Sequence, residues 1–305
     1  MVIDSHLHVL KWQNFDKVYF DGLAAGVSSP EDTPVDTLVN WLKAAGVERG
    51  VIMGQEMTRV WKSSCGEQYV LECVRRYPSF FVALASVEPV DIHGRFNKPG
   101  LDYFEKAVKE EGFKGLLLTP PYGRFRSDDP VVYPFYDKAV ELNVVVQFHH
   151  CAQLGPLALA PFKYTDPVSL NNILLAFPDL RVVVEHLNYP RYEELFFMMA
   201  SDSSVYADIA MTYDRPYILA WNLVKAKEFG VLDRVMYASD YWASGEGVYS
   251  KNPEQDMKRW IGFVKTGLNQ IAEKTGWPLF TKEEIDGILH KNAARLYDLD
   301  LSKSC

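Results

Sequence analysis

The chain has 305 residues, of which 48% are hydrophobic and 24% charged, with 40 acidic against 32 basic side chains and a net charge of −8. No run of about 18 apolar residues offers a membrane span, and no Lys/Arg-rich run offers a nucleic-acid footprint. The length suits one large domain over residues 1–305, with a core that needs no disulfide staple.

The chain opens Val2-Ile3-Asp4-Ser5-His6-Leu7-His8. In a strand, alternate side chains share a face, so His6 and His8 point the same way. Two imidazoles so placed can converge on one metal ion, although His-x-His alone is a weak signal. A long loop with Trp12, Phe15, Tyr19 and Phe20 follows. Thr33-Pro34 reads as an N-cap with proline at the first helical position. Val35, Leu38, Val39 and Leu42 have helical spacing, and Gly46 ends that helix. Strands are predicted at 50–53, 80–85, 113–118, 144–150, 182–186, 205–210 and 235–240. Helices alternate with them at 67–76, 101–111, 132–142, 167–176, 190–200 and 219–229. Thr281-Lys282-Glu283-Glu284 fits a capping box for a late helix.

Eight strands alternating with helices over this length predict a (β/α)8 TIM barrel, with a doubly wound open sheet as the rival. Several strands are continuous apolar runs, as strands covered on both faces should be. The chain starts directly on a strand with functional residues, and Cys65, Cys73, Cys151 and Cys305 show no CxxC spacing. A cytoplasmic protein with reduced thiols is the expectation. Cys151, beside two histidines, reads first as a small buried side chain.

The polar residues at strand ends carry the functional signal. His6 and His8 close strand one, His149 and His150 strand five, His186 strand six and Asp240 strand eight. In a parallel barrel those ends share the face where active sites sit. His149 and His150 compete for one position. His149 shares a face with Gln147, which suits the wet barrel mouth, whereas His150 shares one with Phe148 and Val146. His93 and His290 read as surface or packing residues. Arg124 and Arg126 follow strand four, and their guanidinium forks suit a substrate carboxylate. Trp12, Tyr122, Tyr213 and Trp242 lie in loops on the same face and offer pocket walls.

As a set, these motifs resemble the amidohydrolase superfamily. The better match is its amidohydrolase-2 branch, with aminocarboxymuconate-semialdehyde decarboxylase and related decarboxylases, lactonases and hydrolases. The resemblance rests on Ile3-Asp4-Ser5-His6-Leu7-His8, Gly112-Phe113-Lys114-Gly115, Phe148-His149, Phe177-Pro178-Asp179-Leu180, Glu185-His186-Leu187, Ala238-Ser239-Asp240-Tyr241 and Asn292-Ala293-Ala294-Arg295-Leu296. It implies a divalent metal on His6, His8, a strand-five histidine and Asp240, and the family spacing selects His149. It also implies that His186 handles protons or polarises the substrate. The carboxylated lysine that ends strand four in binuclear relatives has no counterpart in Gly115-Leu116-Leu117-Leu118-Thr119, so one metal ion is expected. Three imidazoles and a carboxylate suit Zn2+ and leave Mn2+ open.

The expected function is metal-dependent hydrolysis of a small lactone, amide or ester through a metal-bound water, with His186 and Asp240 catalytic and Arg124, Arg126 and Trp242 contacting the substrate. Non-oxidative decarboxylation of an unsaturated or aromatic acid is the alternative, and a non-catalytic metal- or ligand-binding barrel a third. The partner is a small molecule, neither nucleic acid nor membrane, and a homodimer is open.

Overall fold

The structure, a computed structural model, describes residues 1–22, 31–151, 159–243 and 252–301. Nine strands form its main sheet: β1 (Ile3–His8), β2 (Arg49–Met53), β3 (Phe81–Ser86), β4 (Gly115–Leu118), β5 (Val145–Phe148), β6 (Val182–Val184), β7 (Val205–Asp208), β8 (Val235–Met236) and β9 (Tyr241–Trp242). Their order is β8-β7-β6-β5-β4-β3-β2-β1-β9, all pairs parallel. β8 and β9 are two halves of one interrupted strand. The first half pairs with β7 and the second with β1. Between them the Ser5 amide donates to the Tyr237 carbonyl (3.1 Å) and the Asp240 amide to the His6 carbonyl (2.9 Å). The eighth strand thereby joins the first, and the sheet curls into the predicted TIM barrel.

Helices fill the crossovers: α1 (Val35–Ala44), α2 (Glu67–Arg76), α3 (Lys98–Glu111), α4 (Tyr133–Glu141), α5 (Pro167–Ala176), α6 (Tyr192–Ser201), α7 (Pro216–Glu228) and α8 (Pro253–Gly262). A wide π turn, Phe263–Gly267, continues α8 into Leu268–Thr275. α1 corrects one expectation. Its N-cap is Pro34, with φ −58° and ψ 140°, and the first helical residue is Val35, so the cap lies one residue later than Thr33. The last helix begins at Lys282 behind the expected capping box. Thr281 Oγ1 accepts from the Glu284 amide (3.2 Å), and Glu284 Oε2 accepts from the Thr281 amide (2.7 Å).

The core has two layers. Outward residues such as Leu7, Ile52, Leu116, Val146 and Val184 pack under the helices. Inward residues Ile3, Val51, Met53, Leu84, Leu117, Val145, Val183, Tyr206 and Met236 fill the barrel, floored by Ala293, Ala294, Leu296 and Tyr297 of the last helix. A bulge in β1 changes which face each residue takes. Ile3 and Asp4 oppose Arg49 and Gly50, but Leu7 and His8 oppose Ile52 and Met53, so three steps on β1 match two on β2. With Ile3 inward, plain alternation would turn Leu7 inward and His6 and His8 outward. The extra residue reverses this and brings both histidines to the barrel mouth.

Candidate active site

His6 and His8 arrive with their tautomers set by their neighbours. His6 Nδ1 lies 3.0 Å from Asp208 Oδ2, and His8 Nδ1 lies 3.2 Å from the Gly54 carbonyl. A carbonyl and a carboxylate only accept, so each Nδ1 carries a proton and each Nε2 presents a lone pair. The two Nε2 atoms stand 3.0 Å apart, and Asp240 Oδ1 is 3.3 Å from each. Three acceptors facing one point repel unless a cation lies among them. Ligands sharing a tetrahedral zinc at 2.0–2.1 Å sit about 3.3 Å from one another. The triangle fits a divalent ion with one position left open.

The electrostatics of the protein alone point the same way. Burial would lower the pKa of His6, but Glu185, Asp240 and Asp208 outweigh it and raise it to about 10. Burial pushes the Asp240 carboxyl up, and His6, His8 and His186 overcome this and hold it below the usual range. Both shifts show a site that favours positive charge among its carboxylates.

Two carboxylates that the expected site did not contain complete it. Glu185 stands between two histidines, with Oε1 3.5 Å from His6 Nε2 and Oε2 2.9 Å from His149 Nδ1. Its Oε1 also accepts from Gln147 Nε2 (2.8 Å), and Gln147 Oε1 accepts from the Tyr297 hydroxyl (3.2 Å). A polar column thus climbs from the barrel floor to the mouth. Asp208 closes β7, and its Oδ1 accepts the amides of His186 (2.9 Å) and Ala210 (3.0 Å). The signal was partial: Asp208 lies within the strand predicted at 205–210 and closes it only in the structure, and Glu185 adjoins His186.

His186 is 1% exposed and neither ring nitrogen has a hydrogen-bond partner. Its Nε2 is 3.9 Å from Asp240 Oδ2 and its Nδ1 is 3.8 Å from Asp208 Oδ1. The strand stops before it: His186, Leu187 and Asn188 have φ of 55°, 51° and 56°. His149 lies in the mouth but outside the His6–His8–Asp240 triangle. Its Nε2 faces Cys151 Sγ at 3.5 Å. His150 faces the helices, near Ser169 Oγ (3.1 Å) and Asn188 Oδ1 (3.4 Å).

The predicted substrate contacts scatter. Trp242 packs on His8, ring centres 4.9 Å apart, and walls the triangle. Tyr122 sets its ring edge-on to His149 at 4.9 Å. Trp12 joins Phe15, Trp61 and Tyr122 in an aromatic cluster on this face. Tyr213 is core instead, stacked on Trp260. Arg126 is exposed and forks onto Asp128, with both contacts at 2.9 Å, while exposed Arg124 lies over the Trp61 ring. Exposed His93 lies in a loop and half-buried His290 in the last helix. Cys305 lies outside the described residues. No helix among the described residues is long and apolar enough to cross a membrane.

Comparison with known proteins bears on the family and the fold. A 2-keto-4-carboxy-3-hexenedioate hydratase from Sphingobium sp. is 33% identical over 95 residues. That match spans 27% of this chain and only 28% of the hydratase. The fold is shared with an uncharacterized TIM-barrel protein from Bordetella bronchiseptica, with 19% identity, 98% of each chain covered and a TM-score of 0.69. It is also shared with a probable 2-pyrone-4,6-dicarboxylic acid hydrolase from Acinetobacter baumannii, with 18% identity, 97% of this chain and 99% of the other covered, and a TM-score of 0.64. A 5-carboxyvanillate decarboxylase from Novosphingobium aromaticivorans, complexed with manganese, matches at 15% identity over 98% of this chain and 96% of its own, with a TM-score of 0.67. A family model described as amidohydrolase matches residues 3–299, nearly the whole chain, and on that ground the chain belongs to the amidohydrolase family, in its amidohydrolase-2 branch.

Proposed function

We propose that the chain is a metal-dependent hydrolase that opens a small lactone, amide or ester at the barrel mouth. The observation that carries this reading is the triangle of ligand atoms on His6, His8 and Asp240, beside a buried imidazole with no hydrogen bond on either nitrogen. A divalent metal held there would lower the pKa of a water toward neutrality and polarise the substrate carbonyl. Two imidazoles, one carboxylate and an open position match the usual donor set of catalytic zinc. Manganese, as in the Novosphingobium decarboxylase, is the second candidate.

The chain's own residues divide the remaining work. Asp240 has one oxygen in the triangle and the other turned toward His186, so it can hold the ion and accept a proton. His186 faces the same space and can protonate the leaving group or donate to a developing oxyanion. Asp208 holds the His186 amide and the His6 ring, and Glu185 steadies His149. Trp242 supplies an apolar wall beside His8.

Decarboxylation of an unsaturated or aromatic acid is the second reading, supported by the fold shared with the carboxyvanillate enzyme. It would use His186 or Asp240 to protonate the carbon that loses CO2. Hydrolysis is preferred because water activation is also what a hydratase relative needs. In addition, the two arginines expected to anchor a carboxylate make their contacts elsewhere, Arg126 with Asp128 and Arg124 over the Trp61 ring.

The test is purified protein, its metal content measured, assayed on lactones, amides, esters and aromatic acids with CO2 detection alongside. Metal-dependent hydrolysis is the expected result, and CO2 release from an acid would replace it with the second reading. The double variant His6→Ala/His8→Ala should retain almost no metal at this site. Full retention there would rule out the triangle.

A further inference from the structure

Three consecutive helices of the barrel wall are apolar on both faces. α5 buries Leu170 and Ile173 and leaves Val168 and Leu175 more than half exposed. α6 buries Leu195, Phe196 and Met199 and leaves Phe197 more than half exposed. α7 buries Leu219 and Leu223, and in its first half Tyr217 is more than half exposed and Ile218 and Trp221 more than two-fifths. A surface helix ordinarily sets one apolar stripe against a polar outer face. α3 follows that rule, with the ion pairs Lys98–Asp102, Lys106–Glu110 and Lys109–Glu105 on its outer side. A helix apolar all round is a buried helix, yet nothing among the described residues covers the outer side of α5, α6 and α7. We infer that a second copy of the chain docks on this face, making a two-fold dimer.

The area is that of an interface. Twelve large hydrophobic side chains are exposed among the described residues, and half of them are the six on these three helices. Together the six expose roughly 700 Å², since a whole aromatic side chain presents about 150–250 Å² and the aliphatic ones somewhat less. The largest apolar patch on a typical monomer is about 300–600 Å². Each partner in a stable complex gives about 800 Å². The face also has relief. One groove lies between α6 and α7, where Trp221 and Trp277 pack with ring centres 5.1 Å apart. A second lies between α5 and α6, beside Val168 and Phe197.

Charge identifies the occupant as the same chain. The Trp221 groove has Arg215 at the start of α7, near enough for its charge to act on the Tyr192 hydroxyl in the groove wall. The Phe197 groove has exposed Glu194 in its wall. Neither Arg215 nor Glu194 has an ion pair among the described residues, whereas their neighbours Lys225 and Glu193 pair with each other at 3.1 Å. A face that carries an apolar knob with a free anion, and an apolar groove with a free cation, is self-complementary. Two-fold symmetry requires that property and uses each match twice. Phe197 and Glu194 of each copy then meet the partner's Trp221 and the partner's Arg215.

Interfaces of this size bind at micromolar concentrations or tighter, so sedimentation of the full chain at about 10 μM is expected to show a dimer. Phe197→Glu and Trp221→Glu should each weaken it by roughly 100-fold or more, as the loss of a central aromatic anchor does. Both positions are exposed in the single chain, so the far-UV spectrum should not change. Charge reversal supplies a readout that leaves the aromatic side chains in place. Glu194→Arg and Arg215→Glu should each weaken the dimer by roughly 10-fold, through like charges set face to face, and the two together in one chain should restore it. Wild type that stays monomeric at about 100 μM, well above that range, overturns the proposal. A dimer that survives both aromatic variants overturns this face, and single reversals without rescue in the double overturn the two-fold pairing.

Discussion

His186 and Asp240 share a backbone feature that suits the work proposed for them. Their φ values are 55° and 50°, in the left-handed region that non-glycine residues enter at roughly 1–2 kcal/mol. Each is pinned there, His186 by its amide on Asp208 and Asp240 by its amide on the His6 carbonyl. Such strain clusters at functional sites, where neighbouring bonds over-determine it. Asparagine tolerates this conformation, so His186→Asn tests the imidazole with little cost to the fold. Metal should stay while turnover falls by roughly 10²–10⁴-fold. Asp240→Asn should lose at least as much turnover and also weaken metal retention. Metal content and rate, measured on both variants, separate the roles, and the reverse pattern would exchange them. Glu67, behind the His8 anchor, offers a test that needs no substrate. A Cβ on Gly54 would meet Glu67 Oε1 at 2.4 Å, so this carboxyl packs directly against the residue whose carbonyl holds His8. Burial raises the Glu67 pKa from 4.5 to about 8, only partly offset by the Ser86 amide and the Tyr103 hydroxyl. The folded chain therefore keeps a proton that the unfolded chain releases above pH 4.5. Stability from this group falls as pH rises from 4.5 to about 8, by up to about 1.4 kcal/mol per unit. Glu67→Gln should flatten that slope in urea unfolding followed across this range. Parallel wild-type and variant profiles would show that Glu67 ionises freely in the fold.

At the level of elements, most of the barrel was legible because its strands are apolar runs and its helices carry their own stops. Gly112, with φ 73°, ends α3 as its position suggested, and Thr281 caps the last helix. The strands were read too long where function begins. β6 ends at Val184 and not at His186, because three successive left-handed residues turn the chain. The eighth strand breaks between Met236 and Tyr241 for a related reason: Asp4 Oδ1 takes the Ser239 amide (2.9 Å), and Asp240 turns inward. The β1 bulge was invisible, since a register shift is a relation between two strands and leaves no mark in either alone. The contact between Glu185 and Gln147 was not legible either, although each residue adjoins a predicted site histidine, because it depends on what stands across the barrel. The interrupted eighth strand also needs support from outside the sheet, and Asn292 of the last helix gives it. Its Nδ2 donates to the carbonyls of Leu232 (3.1 Å) and Val235 (2.7 Å), and the residue is 2% exposed. Asn292→Ala would remove a buried donor from both carbonyls, of which Leu232 keeps the Val235 amide, at a cost of about 1–3 kcal/mol. Denaturant unfolding should show the loss as a lower midpoint with the same slope. An unchanged midpoint would mean that the strand end closes without this helix.

At the scale of the whole molecule, the site concentrates charge that the fold alone does not neutralise. Glu185, Asp208 and Asp240 lie on three different strand ends, fully or nearly buried, and they meet only because the barrel closes. Buried carboxylates without compensating charge destabilise a fold. The ion proposed for the triangle would supply that charge, and since His6, His8 and Asp240 converge only in the closed barrel, it would bind the folded chain alone. Its contribution follows from mass action, about 2.7 kcal/mol when free metal is a hundredfold above the dissociation constant. Chelation should therefore lower the thermal midpoint by several degrees, and readdition of Zn2+ or Mn2+ should restore it. The double variant His6→Ala/His8→Ala separates this effect from chelator acting elsewhere. Its midpoint should respond little to chelator, because two of the three donors are gone. Equal chelator shifts in wild type and double variant would place the stabilising ion away from the triangle.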